Sequence, residues 1–430
     1  MWPVLQVALD LMHMNRSVEI ARESVAGGVD WIEVGTPLIK SEGAGSIRTM
    51  RREFPGKKII ADTKTMDVGS FETEIAAKAG ADIVTVMGLA DDSTISEASA
   101  TAKKYGAEIM VDMLNVSDVV ERSKAVEKLG VSYICLHMGI DQQMRGKDTP
   151  IDILKKVSSS VSVPIAVAGG ITSATVRKYV EAGASIIIVG GGIIKTDNVT
   201  EAAKNMKKAM TGAKVKSVLA RKYGEKELFE AFSRVSTPNI TDANHKRGMV
   251  IGLTPHLSAG QRMVGKALTV HTANGDWAKP VEAIDRASEG DIIVISVGGG
   301  NAAVWGGLAT ASAKNAGVRG VVIDGAMRDI DEIRASGFPA FSKHVVPNAG
   351  EPRGYGGIGI EITICNQTVR TGDWIIGDEN GLVVIPKENA VEVANRSLDV
   401  KEREDRTREE IRRGSTLSKV FELEKWEHEK

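Results

Sequence analysis

Two α/β units are predicted for this chain. One is an N-terminal (β/α)8 barrel (TIM barrel) over residues 1–212, and the other a C-terminal mixed α/β domain over 233–395. Three observations predict them. The length, 430 residues, exceeds what one hydrophobic core usually serves. Up to residue 212, eight short apolar, β-branched runs alternate with amphipathic stretches, the pattern of a parallel sheet wound through helices. Beyond that the rhythm breaks into a charged stretch and then into strands of different spacing.

The eight runs are "VLQVALD" (4–10), "WIEVG" (31–35), "KIIADTK" (58–64), "DIVTVMG" (82–88), "EIMVDML" (108–114), "YICLHMG" (133–139), "PIAVAGG" (164–170) and "SIIIVGG" (185–191). Several of the amphipathic stretches between them close in Gly-Ala or Gly-Val, as helix C-caps do. The ends of the runs carry the chemistry. The first ends in Asp10, the second holds Glu33, and the third ends in Asp62 and Lys64. The fifth carries Asp112 and the sixth His137. In such a barrel the C-terminal ends of the strands form the active face, so groups far apart in sequence converge on one mouth. A single polar residue closing a strand is usually a cap or an ion pair; six such positions at one mouth are not explained that way.

The seventh and eighth runs end in glycines, Gly169-Gly170 and Gly190-Gly191-Gly192. Tight turns alone explain such pairs. At these two strand ends they also suit a phosphate, because glycine lets backbone N–H groups come close to an anion.

Composition narrows the classes. Hydrophobic residues make up 42% and charged residues 26%, with a net charge of −1, as in ordinary globular proteins. That balance offers no general attraction to nucleic acid or to an anionic membrane. Of the two cysteines, Cys135 and Cys365, neither has metal-ligand spacing, and both read as buried free thiols in a reducing compartment. The start lacks a signal-peptide pattern, and no apolar run reaches the ~18 residues of a membrane span. A cytoplasmic protein is expected.

"VALD", "WIEVGTPLI", "ADTKTMD" and "CLHMGID" together resemble the orotidine monophosphate decarboxylase superfamily, and within it 3-hexulose-6-phosphate synthase and its relative 3-keto-L-gulonate-6-phosphate decarboxylase. The resemblance covers about 1–212. It implies that Glu33 and Asp62 ligate Mg2+ or another divalent cation, a hard ion suited to carboxylate oxygens. It further implies that the metal holds the oxygens of an enediolate and that Lys64 stabilises the developing anion. His137 would move protons, Asp67 would reach across from the partner subunit of a dimer, and Asp10 and Asp112 would line the pocket. The synthase joins the enediolate to formaldehyde, whereas the decarboxylase forms it by losing CO2. Decarboxylases of this group carry an arginine after the last glycines, but here the stretch reads "GGGIIKTDN", with Ile193 and Ile194. That favours the synthase: interconversion of D-arabino-3-hexulose 6-phosphate with D-ribulose 5-phosphate and formaldehyde. The decarboxylase stays open, since Lys195 can substitute at longer reach. A Schiff base at Lys64 ranks low, because flanking carboxylates keep the amine protonated.

Residues 213–232 read as a linker merging into a helix. From 233 on, Ser236 or Thr237 can cap a helix. Strands are expected at 266–273, 291–300, 320–326 and 339–346, with a hairpin over 373–386 turning at Glu379, Asn380 and Gly381. "GGGNAAVWGG" is not a dinucleotide loop, because its spacing is not G-x-G-x-x-G within a clean βαβ unit. "DGAMRDID" is sharper: Arg328 can clamp a carboxylate in a bidentate way and Asp329 can hold a divalent metal. A plain helix N-terminus beside a surface arginine is the ordinary alternative.

This half resembles the family of ribonuclease-activity regulator A and 4-hydroxy-4-methyl-2-oxoglutarate aldolase, over roughly 230–395. The resemblance implies that Gly306, Gly307, Leu308, Ala309 and Arg328 bind a 2-oxo acid, with Asp329 on a divalent cation. It also implies a trimer, so that dimeric barrels and trimeric second domains would share one chain. Gly307 stands where the aldolases carry an acidic residue, which leaves a binding or regulatory role, including protein-binding regulation of RNA turnover, beside aldolase chemistry. The tail, 396–430, mixes both charge signs at helical spacing and reads as a solvated helix. Its basic cluster at Arg406 to Arg413 is interleaved with acids, which argues against direct RNA binding.

Overall fold

The computed structural model describes residues 3–139, 144, 151–213, 215 and 223–423. Eight residues of the expected linker, 214 and 216–222, and the last residues of the tail, 424–430, lie outside the described residues. The chain divides into two compact units. The first comprises 1–143, 147–221 and 402–430, and the second 144–146 and 222–401.

In the first unit eight parallel strands close into a barrel: β1 (Val4–Leu9), β2 (Trp31–Val34), β3 (Lys58–Thr65), β4 (Ile83–Met87), β5 (Glu108–Asp112), β6 (Tyr133–His137), β7 (Ile165–Ala168) and β8 (Ile186–Val189). Each pairs with its neighbour in sequence, and β8 closes on β1. Side chains alternate along a strand. One parity (Leu5, Val7, Ile32, Val34, Ile59, Val84, Ile109, Ile134, Val167, Ile187) packs outward against the helices. The other (Ala8, Ile60, Ile83, Met110, Cys135, Ala166, Ile186, Ile188) fills the barrel interior. Burying each Val, Leu, Ile or Met among them contributes ~1.5–3 kcal/mol. At the N-terminal end Lys58 bonds Glu108 at 2.6 Å beside the Trp31 and Tyr133 rings, so that end is closed by side chains. Helix ends follow their signals: Asp91 accepts from the Ser93 N–H, and Gly106, in the left-handed region, ends the helix Asp92–Tyr105.

The second unit is built on one mixed sheet. Its strands are β9 (Met249–Val250), β10 (Thr254–His256), β11 (Met263–His271), β12 (Asp291–Ser296), β13 (Gly320–Met327), β14 (Ala340–Val345), β15 (Gly357–Ile358), β18 (Trp374–Asp378) and β19 (Gly381–Ile385), while β16 (Ile362–Ile364) and β17 (Gln367–Val369) pair as a separate hairpin. The order is β10-β14-β13-β12-β11-β18-β19-β9, with β15 on β11. The four strands β11 to β14 are parallel, and the flanking pairings are antiparallel. Leu268, Val270, Ile293, Ile295, Val321 and Ile323 pack in one core, and Ala267, Ile292, Val294 and Val322 in another, as two-residue alternation requires. Ser236 caps the helix Thr237–Ala243 as expected, and β18 and β19 form the expected hairpin.

Two expectations change. The run 291–300 ends as a strand at Ser296, because Gly298 and Gly299 take positive φ and break it. The tail is helical over Ala390–Arg412, but it is not a solvated helix throughout. Arg406 is buried, bonded to Glu23 of the barrel helix Met14–Ala26 and to Glu410. Helical charge spacing showed the i, i+4 pairs; it carries no information about a partner nearly 400 positions away.

Candidate active site

The predicted mouth assembles. Asp10, Glu33, Asp62, Lys64, Asp112, His137 and Gly190 share the parity of the barrel-interior residues of their strands, at or just past their C-terminal ends. Lys64 is the centre of the group. Its Nζ donates to Asp62 Oδ1 at 2.7 Å and Oδ2 at 2.8 Å, and to Asp112 Oδ2 at 2.7 Å. The same Asp112 oxygen lies 2.9 Å from His137 Nδ1, while Asp112 Oδ1 accepts from the Leu114 N–H. A carboxylate therefore links the cation to the imidazole.

Local backbone geometry brings Asp62 and Lys64 together. The β3–β4 register slips between Ala61 and Thr65, and Lys64 sits at φ 54°. A non-glycine residue in the left-handed region costs of order 1–3 kcal/mol and persists where surrounding contacts over-determine it. Those contacts are hydroxyls: Thr36 and Thr85 each donate to Asp62 at 2.8 Å, and Thr85 Oγ1 accepts from the Lys64 N–H.

Charge is unevenly balanced. For Lys64, burial alone would favour the neutral amine, but Asp62, Asp112 and Glu33 overcome it and raise its pKa far above the ordinary value. For Asp112, burial alone would raise the carboxyl, but His137 and Lys64 hold it well below the usual range. Glu33, donated to by the Gln6 amide, is pushed well above its range by burial and then by Asp62 and Asp10. Asp10 is open to solvent through the mouth yet enclosed on its other sides. That enclosure and Asp62 raise it as well. Burial likewise raises the Cys135 thiol, which reads as inert core.

Asp10, Glu33 and Asp62 thus act on one another electrostatically, with one lysine near them. Among the described residues no set of three or more His, Cys, Asp or Glu is arranged to cage a metal. Two carboxylates with substrate oxygens and water fit Mg2+, which keeps several waters and seldom takes an all-protein cage.

The glycines stand at the expected strand ends. Gly169 and Gly170 take positive φ after β7, and Gly190 begins the short helix Gly191–Ile194. A side chain at Gly190 would press on Asp10 Oδ2. Asp67 does not enter its own mouth: it is exposed and accepts from the Val68 N–H. Reading strand ends missed Gln6, Thr36 and Thr85. The signal for Gln6 and Thr85 was a polar residue on the inward parity of an otherwise apolar strand.

In the second unit Gly306, Gly307, Leu308 and Ala309 start the helix Gly307–Asn315, and Arg328 and Asp329 follow β13. The Gly307 N–H donates to Asp329 Oδ2 at 3.0 Å, and Arg328 Nε lies 3.5 Å from that oxygen. Asp329 has φ 59°, again beyond a register slip in its strand. Both side chains are over two-fifths exposed, and Leu308 is 87% exposed. The Glu332 carboxylate, which motif reading missed, fills the space a side chain at Gly307 would take.

Comparison with known proteins follows this division. The family described as Orotidine 5'-phosphate decarboxylase / HUMPS family matches residues 3–206, and RraA-like: Aldolase/RraA matches 237–384. The first unit is thus an orotidine 5'-phosphate decarboxylase / HUMPS-type barrel fused to an RraA-like domain. 3-Hexulose-6-phosphate synthase of Bacillus subtilis (strain 168) is 39% identical over 203 residues, covering 47% of this chain and 96% of that protein. The enzyme of the same name from Methylomonas aminofaciens is 43% identical over 188 residues, 44% of this chain and 90% of its own. A solved 3-hexulose-6-phosphate synthase from Salmonella typhimurium is 36% identical, with TM-score 0.47, covering 49% of this chain and 99% of that one. The chain belongs, through its barrel, to the 3-hexulose-6-phosphate synthase family, whose named members are lyases. No helix among the described residues is long and apolar enough to cross a membrane.

Proposed function

We propose that the barrel is a divalent-metal-dependent aldolase interconverting D-arabino-3-hexulose 6-phosphate with D-ribulose 5-phosphate and formaldehyde through an enediolate. The observation that carries this reading is the Lys64–Asp112–His137 chain beside Asp62 and Glu33. A cation bound by Glu33 and Asp62 would supply positive charge and coordination positions for the substrate oxygens.

In the condensing direction His137 Nε2 takes a proton from C1 of ribulose 5-phosphate. Asp112 on Nδ1 holds the ring and stabilises the imidazolium. The Lys64 ammonium stands beside the oxygens that gain negative charge. C1 then attacks the formaldehyde carbon, one C–C bond forms, and the formaldehyde oxygen takes the proton that His137 held. The phosphate rests on the loops of Gly169-Gly170 and Gly190-Gly191, and Asp10 lines the pocket. Held between carboxylates, Lys64 stays protonated, which disfavours a Schiff base.

Two copies complete each mouth in this reading. Met66, Val68, Phe71, Ile75 and Leu89 are at least half exposed around Asp67, and such an apolar patch suits burial against a second barrel. Asp67 would then serve the partner's site. For the second unit the reading is a site for a 2-oxo acid, its carboxylate on Arg328 and the Gly306–Ala309 backbone, with a divalent cation on Asp329. A trimer and a regulatory role on protein partners remain compatible with it.

The test is exchange at C1. Ribulose 5-phosphate incubated with the enzyme and Mg2+ in D2O, without formaldehyde, should lose its C1 proton signal in NMR. His137→Gln should slow that exchange by about 10²–10⁴-fold. Full turnover without C1 exchange would sink the enediolate reading.

A further inference from the structure

We propose that the C-terminal tail is a clasp on the barrel and that Arg406 and Arg413 are positioning residues for the phosphate-binding turn after β8. The inference rests on the sugar-phosphate reading of the mouth.

The tail places two guanidinium groups on one backbone oxygen. Arg406 Nη1 and Arg413 Nη2 both donate to the carbonyl of Asp197, at 3.3 and 3.2 Å. Asp197 ends the turn that leaves the helix Gly191–Ile194, and the next residue, Asn198, caps the helix Val199–Met210 through Glu201 N–H. The turn therefore lies between the glycine segment and a fixed helix start. Its outward carbonyl is gripped by the tail.

The grip is anchored on the barrel. Arg406 Nη1 and Nη2 reach the two Glu23 oxygens at 3.3 and 3.2 Å, and Arg413 Nη1 reaches Glu23 Oε1 at 2.7 Å. Arg406 Nε and Arg16 Nε both donate to Glu410 Oε1, at 2.9 and 3.0 Å. Glu23 and Arg16 belong to the helix that follows β1, the strand paired with β8. Arg406 is only 2% exposed. A buried guanidinium is tolerated when its donors are satisfied in fixed geometry, and here its donors meet two carboxylates and a carbonyl. Further along, Glu422 lies 3.8 Å from His13, in the connection after β1. The tail thus touches the connections after two neighbouring strands at the mouth.

The matched synthase segment ends at residue 206, so these contacts come from a part of the chain that the family comparison does not cover. They give the fusion a physical consequence. The second unit is followed by a segment that returns to the first and fixes a turn next to the phosphate glycines. The two arginines act through the turn at Asp197, so their effect should fall on phosphate affinity rather than on the chemical step.

The experiment uses full-length Arg406→Ala and Arg413→Ala. It measures KM and kcat for ribulose 5-phosphate, and amide hydrogen exchange over 191–198. Arg406→Ala should raise KM about tenfold with kcat within about twofold, since a small displacement of a binding turn weakens positioning. Exchange over 193–198 should speed up. Arg413→Ala, at an exposed arm, should fold normally and raise KM about threefold. Unchanged KM and exchange in a folded Arg413→Ala and Arg406→Ala overturn the clasp. A fall in kcat and melting temperature with unchanged KM also overturns it, because that is a purely structural role. If the wild type does not turn over ribulose 5-phosphate, the reading of the mouth fails, and exchange over 193–198 still decides whether the tail holds the turn.

Discussion

The barrel mouth and the Arg328–Asp329 site use the same backbone device and reach opposite states. In each, a parallel strand slips register near its C-terminal end and a charged residue takes positive φ: Lys64 in one, Asp329 in the other. In the barrel the turned residue points into enclosed, hydroxyl-braced carboxylates. In the second unit Arg328 and Asp329 stand over two-fifths exposed, 3.5 Å apart. An exposed pair contributes ~0–1 kcal/mol, whereas enclosed charges in fixed geometry act strongly on whatever enters. The difference teaches that the barrel's lysine, carboxylates and imidazole are already tied to one another, and that the second site leaves its charged groups available to another molecule.

The comparison breaks most visibly at Lys64. Lys64→Ala should lower barrel turnover by about 10³-fold with far-UV circular dichroism unchanged. A variant close to wild-type activity would remove the lysine from the mechanism. Next in size is the apolar face: Phe71→Glu should give monomeric barrels by light scattering or loosen the assembly, and should cut activity by about tenfold or more as Asp67 leaves the partner's mouth. Retained activity in a dissociated sample would place each mouth within one chain. Arg328→Ala should weaken binding of pyruvate, the simplest 2-oxo acid probe, by about tenfold in calorimetry and leave barrel turnover untouched. Equal binding would take the 2-oxo acid away from Arg328.

The smallest effect concerns pH and the second unit alone. His256 is buried, with Nε2 2.8 Å from Ser342 Oγ, and Nδ1 has no hydrogen-bond partner. Burial, then the charge of Arg334, pushes its pKa down to about 4 from an ordinary 6.5. The unfolded chain therefore takes up the proton first as pH falls. This contribution is intact above pH 6.5 and is lost progressively toward pH 4, by about 3.5 kcal/mol at most, at ~1.4 kcal/mol per unit. Denaturant unfolding of His256→Gln should show a shallower pH dependence than wild type over that window.

Much of the mouth was legible because barrel strands alternate strictly and their ends converge. Counting by twos from Ala8, Ile60 and Met110 reaches Asp10, Asp62 and Asp112. Ser236 was legible because capping is local, and so was the hairpin at Glu379–Gly381. What escaped depended on distance or on a break in regularity. The Asp62–Lys64 meeting needs a register slip, and Thr36 reaches Asp62 from another strand's connection. Asp112 was expected to line the pocket, but only the fold shows it joining Lys64 to His137. The hairpin of Ile362–Ile364 with Gln367–Val369 was missed because its strands are three residues long and its turn uses Cys365 at φ 47°. Arg406 read as solvated because its partner Glu23 is remote in sequence.

The most direct measurement is formaldehyde-dependent consumption of ribulose 5-phosphate by purified protein, with Mg2+ and then with EDTA. The account predicts turnover that is lost on chelation and restored by Mg2+. Turnover indifferent to chelation would contradict the metal roles of Glu33 and Asp62, and a folded sample inactive in both conditions would contradict the synthase reading itself.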